Sequence, residues 1–207
     1  RVLVASLTLT VGRGETVTLM GESGCGKSSL LAYLCGTLPS AFAASGTVWV
    51  GGVEVTHLPP ESRRLGILFQ DDLLFPHMTV GQNLAFGLSP RIRSRKERRT
   101  CIERVLNEAG LAGFGTRDPA TLSGGQRARV ALIRVLLSEP RALLLDEPFS
   151  KLDRATRQRF REFVFEHLRE RGLPTLMVTH DPDDAAAAGG PVIQLQNGLR
   201  EGNSEKR

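Results

Sequence analysis

A glycine-rich stretch between two apolar runs is the first feature of the sequence whose residues could do chemistry. Residues 21–28 read GESGCGKS, with VTLM before them and LLAYL shortly after. The glycines let the backbone curl so that successive N–H groups point at one anion, and a helix that begins there turns its positive end to the same place. Lys27 suits the outer phosphates of a nucleotide, and the Ser28 hydroxyl suits Mg²⁺. The stretch therefore predicts a nucleoside triphosphate site; the alternative is a glycine turn that happens to precede a helix.

Two acids follow an apolar run in the second half of the chain, in the stretch LLLDEP. Residues 142–145 are all apolar and predict a buried strand that delivers Asp146 to the edge of a sheet, where it can organise the shell of a magnesium ion. Glu147 comes next and could accept a proton from an attacking water. Taken alone, the pair could be two solvated acids at a strand end. Beside the glycine-rich loop they predict a nucleotide hydrolase or a kinase, without choosing between them.

A second glycine turn opens a helix in the stretch LSGGQRARVAL. Ser123, Gly124 and Gly125 come first, so free N–H groups and a favourable helix dipole create a second anion site. One chain that binds one triphosphate has no evident need for two such sites. The second site is explained if it serves the nucleotide bound by another copy of the chain.

The elements that must position these residues alternate between strand and helix. A hairpin over residues 7–21, with a Gly-Arg-Gly turn, is expected to run into a buried strand at Val17 to Met20. Further strands are expected around Gly51 and Gly52, up to Gln70, and at residues 142–145 and 174–181, with helices between them. Such alternation predicts a mostly parallel sheet covered on both faces, with ligands at the carboxyl ends of the strands. The expected fold class is α/β, a P-loop NTPase with a mostly parallel sheet core, an N-terminal antiparallel β part and an inserted helical subdomain.

The bulk properties limit the classes of protein. The 207 residues suit one large domain, with residues 1–70 and 140–207 as the core and about 71–139 as the helical part. A net charge of +5 permits an anionic ligand but does not argue for nucleic acid, and none is expected as a partner. Cys25, Cys35 and Cys101 have neither pairing nor metal spacing, so free thiols in a reducing compartment are expected. No apolar run approaches the length of a membrane span, and the protein is expected to be cytosolic.

Six motifs, taken together, resemble those of the ATP-binding cassette (ABC) ATPases, and they occur in the order of that family. GESGCGKS resembles the Walker A motif, LFQDDLLFP the Q-loop, LSGGQ the signature, LLLDEP the Walker B motif, FSKLD the D-loop and VTHD the switch. The likeness covers nearly the whole chain. Within the family it is similar to the ATPase subunits of bacterial uptake systems for thiamine, iron, sulfate and molybdate.

The resemblance implies a role for each matching residue. Lys27 and the loop backbone would hold the phosphates of ATP. The magnesium residues would bind Mg²⁺ directly or through water. The signature would cap the nucleotide of the opposite subunit in a head-to-tail dimer. The catalytic residues would be Glu147 as the base, His180 as the γ-phosphate sensor, and Gln70. The nucleotide-binding residues would be Gly21, Glu22, Ser23, Gly24, Cys25, Gly26, Lys27, Ser28, Ser29, Ser123, Gly124, Gly125, Gln126 and Asp153. The magnesium residues would be Ser28, Gln70 and Asp146.

The same resemblance implies partners in a membrane. Permease subunits would be separate chains facing the segment Asp71 to Leu88, whose apolar residues suit a groove for a short permease helix, although some of them could be ordinary core. These residues are Leu73, Leu74, Phe75 and Met78. A periplasmic solute-binding protein would act indirectly, and the chain would sit at the cytoplasmic face of the inner membrane. The sequence does not name the transported substrate.

Two departures from the family pattern stand out. Relatives begin with a further strand and an aromatic residue that stacks on adenine, whereas this chain starts at Arg1 and has no Tyr or Trp before Tyr33. The first strand is therefore expected to be missing, and either the start is truncated or another residue covers the adenine. Lys151 occupies a D-loop position where many relatives have Ala. Three rival hypotheses are a soluble cassette ATPase acting on DNA or ribosomes, a P-loop kinase of small molecules, and a regulatory module without turnover.

Overall fold

Seven strands and seven α-helices lie along residues 3–4 and 6–195, the part of the chain that the computed structural model describes. The strands are β1 (Thr16–Met20), β2 (Trp49–Val50), β3 (Val53–Glu54), β4 (Leu65–Leu68), β5 (Ala142–Asp146), β6 (Thr175–Val178) and β7 (Val192–Gln194). The helices are α1 (Lys27–Cys35), α2 (Pro60–Arg63), α3 (Val80–Gly87), α4 (Arg95–Glu108), α5 (Gly124–Leu137), α6 (Arg154–Glu170) and α7 (Pro182–Ala188). Two 3₁₀ turns, Phe114–Thr116 and Pro119–Thr121, lead from α4 to α5.

Five strands form one sheet in the order β4-β5-β6-β1-β7, and every neighbouring pair in it is parallel. Val178 of β6 lies level with Leu19 of β1 on one side and with Asp146 of β5 on the other. Leu68 of β4 lies level with Leu145 of β5. Four strands therefore end at one edge of the sheet, which confirms the expected α/β fold and places their following loops together.

Apolar side chains cover both faces of this sheet. In β5, Leu143 and Leu145 belong to a large cluster that includes residues of α3, α4, α5 and α6, whereas Leu144 belongs to a smaller cluster with Leu31 of α1. Adjacent strand residues point to opposite faces. The uninterrupted apolar run of β5 is thus explained by burial on both sides.

The helices between residues 71 and 139 share the large cluster with the sheet. Leu84 of α3, Leu106 of α4 and Ile133 of α5 are buried in the same group as Met177 of β6. An inserted helical subdomain with bounds near 71 and 139 stays a prediction, since the apolar core is continuous across those positions.

The first arm of the predicted hairpin over residues 7–21 is wrong. Residues 6–12 form no strand, and β1 alone begins, at Thr16. Both edges of β1 are already paired, with β6 and with β7, so no edge is left for an antiparallel arm. Leu9 and Val11 instead pack against the smaller apolar cluster, which explains their alternation. An antiparallel pair does form between β2 and β3, around the predicted Gly-Gly turn.

Several other boundaries differ from those expected. Strand β4 ends at Leu68, two residues before Gln70, and both α7 and β7 were not predicted. The cysteines at positions 25, 35 and 101 are free, as expected. In the described part of the chain, no helix has both the length and the apolar character needed to span a bilayer.

A buried amide on α3 holds the turn that enters this helix. Asn83 is fully buried; its side-chain oxygen accepts from the backbone N–H of Phe75 at 2.8 Å, and its nitrogen contacts the carbonyl oxygens of Phe75, Met78 and Thr79 at 3.1 Å. One side chain therefore bonds backbone groups across residues 75–79, among them the Phe75 N–H and the Met78 carbonyl oxygen.

Replacing Asn83 with Ala is expected to lower the free energy of unfolding by roughly 2–4 kcal/mol, because buried backbone groups lose their partners. Chemical denaturation of the purified chain measures this loss. The matched control is Asn107→Ala at an exposed position of α4, which is expected to change stability by only about 0.5 kcal/mol. Equal effects of the two variants would contradict the role given to Asn83.

Candidate functional site

The glycine-rich loop follows β1 directly and ends on the first residue of α1. Gly26 caps α1 with φ 95° and no side-chain hydrogen bond, a backbone conformation that favours glycine. A Cβ atom at Gly21 would lie 2.5 Å from the carbonyl oxygen of Leu195 and 2.9 Å from the Cys25 sulfur. The loop is thus a tight turn that presents the amino end of α1, where N–H groups have no intrahelical partner. Its residues Glu22, Ser23 and Gly24 are exposed, while Ser29 is half-buried.

The ammonium group of Lys27 lies inside this loop. Its Nζ donates to the carbonyl oxygens of Gly21 at 2.7 Å and Glu22 at 2.8 Å. A positive charge, glycine-rich backbone and a helix amino end thus occupy one place. This donor set fits the phosphates of a nucleotide.

Asp146 ends β5 with a buried carboxyl group beside the loop. Burial raises the pKa of Asp146, while a hydrogen bond with the Ser28 hydroxyl and the charge of Lys27 oppose that rise. A carboxylate and a hydroxyl are oxygen ligands of the kind that Mg²⁺ prefers, usually completed by water and substrate phosphates. No group of three or more His, Cys, Asp and Glu side chains among the described residues is arranged to hold a metal. The pair therefore fits a magnesium ion that arrives with a nucleotide.

Glu147 and His180 form a hydrogen-bonded pair at the ends of β5 and β6. Glu147 Oε1 lies 2.7 Å from His180 Nδ1, and the carboxylate is 14% exposed whereas the imidazole is 71% exposed. Because a carboxylate oxygen only accepts, the proton of this bond sits on Nδ1, which leaves Nε2 facing outward. The hydrogen bond and charge of Glu147 raise the pKa of His180 above its ordinary value.

The backbone at Glu147 has φ 50°, a conformation that side-chain-bearing residues rarely adopt. Its N–H donates to the carbonyl of Val178, and its own carbonyl accepts from Ser150 Oγ at 2.9 Å. Local strain of this kind persists where surrounding contacts hold it and is concentrated at functional sites. The backbone conformation of Glu147 therefore supports a functional role for this residue.

A chain of polar contacts fixes the switch segment below His180. Asp184 is buried, and its two carboxylate oxygens bond Arg161 Nη1 at 2.9 Å and the Thr179 hydroxyl at 3.2 Å. Burial, with a further contribution from the charge of Asp181, raises the pKa of Asp184. The segment that carries His180 is thereby tied to α6.

Arg157 connects the same segment to the D-loop. Its Nη1 bonds the Asp181 carboxylate at 2.6 Å, and its Nη2 donates to the carbonyl oxygen of Leu152 at 3.0 Å. Asp153, the D-loop aspartate, caps α6 by accepting from the Thr156 N–H at 3.0 Å. The start of α6 therefore holds the D-loop and the switch in one arrangement.

The signature residues lie at the amino end of α5. Ser123 and Gln126 form a reciprocal capping box: Ser123 Oγ accepts from the Gln126 N–H at 3.2 Å, and Gln126 Oε1 accepts from the Ser123 N–H at 2.9 Å. A Cβ atom at Gly125 would come within 3.0 Å of the Lys151 carbonyl oxygen and of the Leu152 side chain. The signature turn thus packs against the D-loop.

The residues predicted for the site fall into two groups. Lys27, Ser28, Asp146, Glu147 and His180 are linked by the contacts above. Gln70 is exposed and joins them as part of the lining of a small cavity next to Asp146 and Glu147. The signature residues 123–126 form the second group, together with the D-loop.

Sequence reasoning missed the residues that support these groups. Arg157, Asp181, Asp184 and Asp72 make contacts between distant segments, for which one sequence has no spacing signal. A signal for α7 did exist, because Asp181 followed by Pro182 is a typical start of a helix.

Comparison with known proteins gives the chain its relatives. The sequence model of the family described as ABC transporter matches residues 4–150, more than half of the chain. The chain is 48% identical over 185 residues to the uncharacterized ABC transporter ATP-binding protein YnjD of Escherichia coli (strain K12), a match that covers 89% of this chain and 85% of YnjD.

Two import proteins are also similar. The chain is 43% identical over 195 residues to the Fe(3+) ions import ATP-binding protein FbpC of Rhizobium etli and 42% identical over 196 residues to the sulfate/thiosulfate import ATP-binding protein CysA of Gloeobacter violaceus. Each match covers 94% of this chain but only 54% of FbpC and 56% of CysA, so the chain spans about half the length of these two relatives.

A solved structure shares the fold. It is the dimeric post-hydrolysis state of the ATP-binding cassette MJ0796 bound to ADP and Pi, which superposes with a TM-score of 0.83 at 31% identity. The match covers 96% of this chain and 88% of MJ0796. From the family match, the identities and the shared fold it follows that the chain belongs to the ATP-binding proteins of the ABC transporter family.

Proposed function

We propose that the chain binds and hydrolyses ATP as the energising subunit of an ABC importer. The observation that carries the proposal is the Glu147–His180 pair at 2.7 Å, placed beside Asp146 and the Ser28 hydroxyl. A kinase would need Lys27 and Asp146 but would leave this pair and the signature turn unexplained. A regulatory module without turnover would have no use for Glu147.

The loop residues bind and orient the nucleotide in this proposal. Lys27 and the backbone of residues 21–26 hold the phosphates, and Ser29 contributes from the first turn of α1. Ser28, Asp146 and Gln70 hold Mg²⁺ directly or through water; when bound, the ion would neutralise charge on the phosphates.

Hydrolysis requires a water to lose a proton as it attacks the outer phosphate. The Glu147 carboxylate accepts that proton, and its hydrogen bond with His180 Nδ1 fixes the direction in which the free oxygen points. The outward-facing Nε2 of His180 remains available to contact the phosphate being released. Both groups sit at strand ends, where the sheet prevents large displacement.

A second copy of the chain completes the site. The signature residues 123–126 lie in their own group around the D-loop, so in this proposal they cap the nucleotide of the partner, with Asp153 nearby. The dimeric structure of MJ0796 supports the pairing of two copies. The two anion sites of one chain, the glycine-rich loop and the signature turn, would then bind two different nucleotides of the same dimer.

The membrane partners are proposed from the segment Asp71 to Leu88, which follows β4 and includes α3. Leu73 and Phe86 are exposed apolar residues, with Phe86 66% exposed, and they suit a groove for a permease helix. Leu74 packs against the large core cluster and Phe75 stacks edge-on against Phe86 at 4.8 Å, so part of the segment is structural.

The names of FbpC and CysA, both import proteins, support uptake as the direction of transport. We place the chain at the cytoplasmic face of the membrane through its permease, with a periplasmic binding protein acting on the far side. A soluble cassette ATPase stays the alternative, and association with a permease separates the two.

Replacing Glu147 with Gln is expected to reduce ATP hydrolysis by about a hundredfold or more, because the proton acceptor is lost. Binding of ATP is retained, so light scattering of this variant should give a monomer without ATP and a dimer with ATP and Mg²⁺. Phosphate release and solution mass are the two measurements.

Glu166→Gln, the same change at an exposed position of α6, is the matched control and should hydrolyse ATP like the parent chain. A parent chain that releases no phosphate from ATP in the presence of Mg²⁺, without a permease, would contradict the proposed hydrolysis. A Glu147→Gln chain that stays monomeric with ATP would contradict the paired sites.

Titration of His180 is expected to show a pKa above the ordinary value of about 6.5. The negative charge of Glu147 favours the imidazolium, so the proton is held to higher pH, and Glu147→Gln should lower the pKa. NMR of the histidine ring signals measures both values.

His167 serves as an internal control in that titration, because burial and then the charge of Arg171 lower its pKa, and it should titrate identically in both chains. An unchanged pKa of His180 in the Glu147→Gln chain would show that the pair does not form in solution.

Replacing Phe86 with Asp is expected to abolish co-purification with a membrane-spanning subunit encoded beside the gene, since a charge cannot be buried in an apolar groove. ATP hydrolysis by the isolated chain should persist. The matched control is Trp49→Asp, which alters another exposed aromatic residue, on β2. Co-purification that survives Phe86→Asp would argue against this docking surface.

A further inference from the structure

Lys151 of the D-loop reaches across to the Q-loop. Its Nζ donates to the carbonyl oxygen of Gln70 at 2.7 Å and to Asp72 Oδ1 at 3.1 Å. The two segments are about eighty positions apart in sequence and lie in the loops that follow two different strands, β4 and β5. A single ammonium group therefore closes a connection between them.

Asp72 has a second partner on the signature helix. Its other carboxylate oxygen lies 3.5 Å from Arg127 Nε, and Arg127 Nη1 donates to the carbonyl oxygen of Leu122 at 2.7 Å. The Asp72 side chain is only 13% exposed. One half-enclosed carboxylate thus stands between the D-loop cation and the signature-helix cation.

The contacts of Asp72 with Lys151 and with Arg127 differ in strength. The Lys151 side chain is 35% exposed and its ammonium makes two charge-assisted hydrogen bonds, at 2.7 Å and 3.1 Å, whereas the Arg127–Asp72 contact is longer, at 3.5 Å. Water competes with such partly exposed pairs, so their net contribution to stability is small. Their effect is mainly on position, because the acceptor on Gln70 is a backbone atom and the bond fixes where the main chain runs.

The position of the Q-loop main chain determines the shape of a small cavity beside Glu147. Gln70, Asp72, Asp146, Glu147 and Lys151 are among the residues that line it. The Q-loop backbone that Lys151 holds therefore forms one wall of the same space that the acid pair forms. If this backbone moved away from the D-loop, the Gln70 side chain would leave the neighbourhood of Glu147.

We propose that Lys151 is a positioning residue that clamps the Q-loop to the D-loop through Gln70 and Asp72, and so keeps Gln70 beside Glu147 during hydrolysis. This inference rests on the proposed ATPase function. The clamp also joins the segment after Gln70 to the D-loop, because Asp72 lies in that segment.

Steady-state kinetics of the 207-residue chain test the clamp. Lys151→Met removes the donor and keeps the length of the side chain. We expect kcat for ATP hydrolysis to fall about tenfold, a typical effect of losing a charge-assisted hydrogen bond, while KM for ATP stays within about twofold. Lys96→Met, the same change at an exposed position of α4, should leave both constants unchanged.

Two further variants distinguish positioning from a general loss of stability. Lys151→Arg keeps a donor for a carbonyl and a carboxylate and should recover kcat to within about threefold of the parent. Asp72→Asn combined with Lys151→Met should lower kcat by less than the product of the two single effects, because both changes act on the Lys151–Asp72 contact. Strictly additive losses, or an Arg variant as slow as the Met variant, would overturn the clamp.

Hydrogen exchange tests the same connection without catalysis. Amides of residues 69–74 should exchange faster in Lys151→Met than in the parent, while those of β5 remain equally protected. Equal exchange in both chains would overturn the inference. Failure of the two proposals can be told apart: an inactive parent chain refutes the ATPase function and the role of Lys151 in it, whereas an active parent with an equally active Lys151→Met chain refutes the clamp alone.

Discussion

The parallel register of four strands is the constraint on which the site depends. Val178 is level with both Leu19 and Asp146, so the loops after β1, β5 and β6 begin at one height. That register is fixed by burial, since Leu144 and Leu145 must enter different apolar clusters on opposite faces of the sheet. A slip of one residue would turn each to the wrong face. Apolar packing within the sheet therefore sets the distances between the polar groups at its edge.

Helix α6 adds a second level of control at that edge. Its Arg157 and Arg161 bond Asp181 and Asp184, one on each side of the start of α7. The first pair is partly buried and the second largely buried, and ion pairs of this kind contribute little net stability because the charges lose hydration. Their main effect is on position. The two carboxylates hold the segment that carries His180, so the backbone of His180 is fixed although its imidazole is highly exposed.

Much of the fold could be predicted from single segments. The apolar run of β5, the glycine turn before α5 and the amphipathic α6 each carry a local signal, and the structure places all three as expected. The hairpin over residues 7–21 failed because alternation reports one buried face and does not report which edge of a sheet is free. The residues taken to bind nucleotide were found from motif spacing, which is also local. Asp72 and Lys151 could not be paired in advance, because their contact depends on how β4 and β5 lie side by side.

The D-loop is the place where the two groups of site residues meet. The carbonyl oxygen of Leu152 is bonded by Arg157, which holds the switch of the same chain. One residue earlier, the carbonyl of Lys151 packs against Gly125 of the signature turn. If the signature serves the nucleotide of a second copy, as proposed above, two adjacent D-loop residues contact machinery belonging to two different nucleotides. A displacement of this short segment cannot then alter one site without altering the other, so coupling between the two sites follows from backbone contacts and requires no long pathway through the protein.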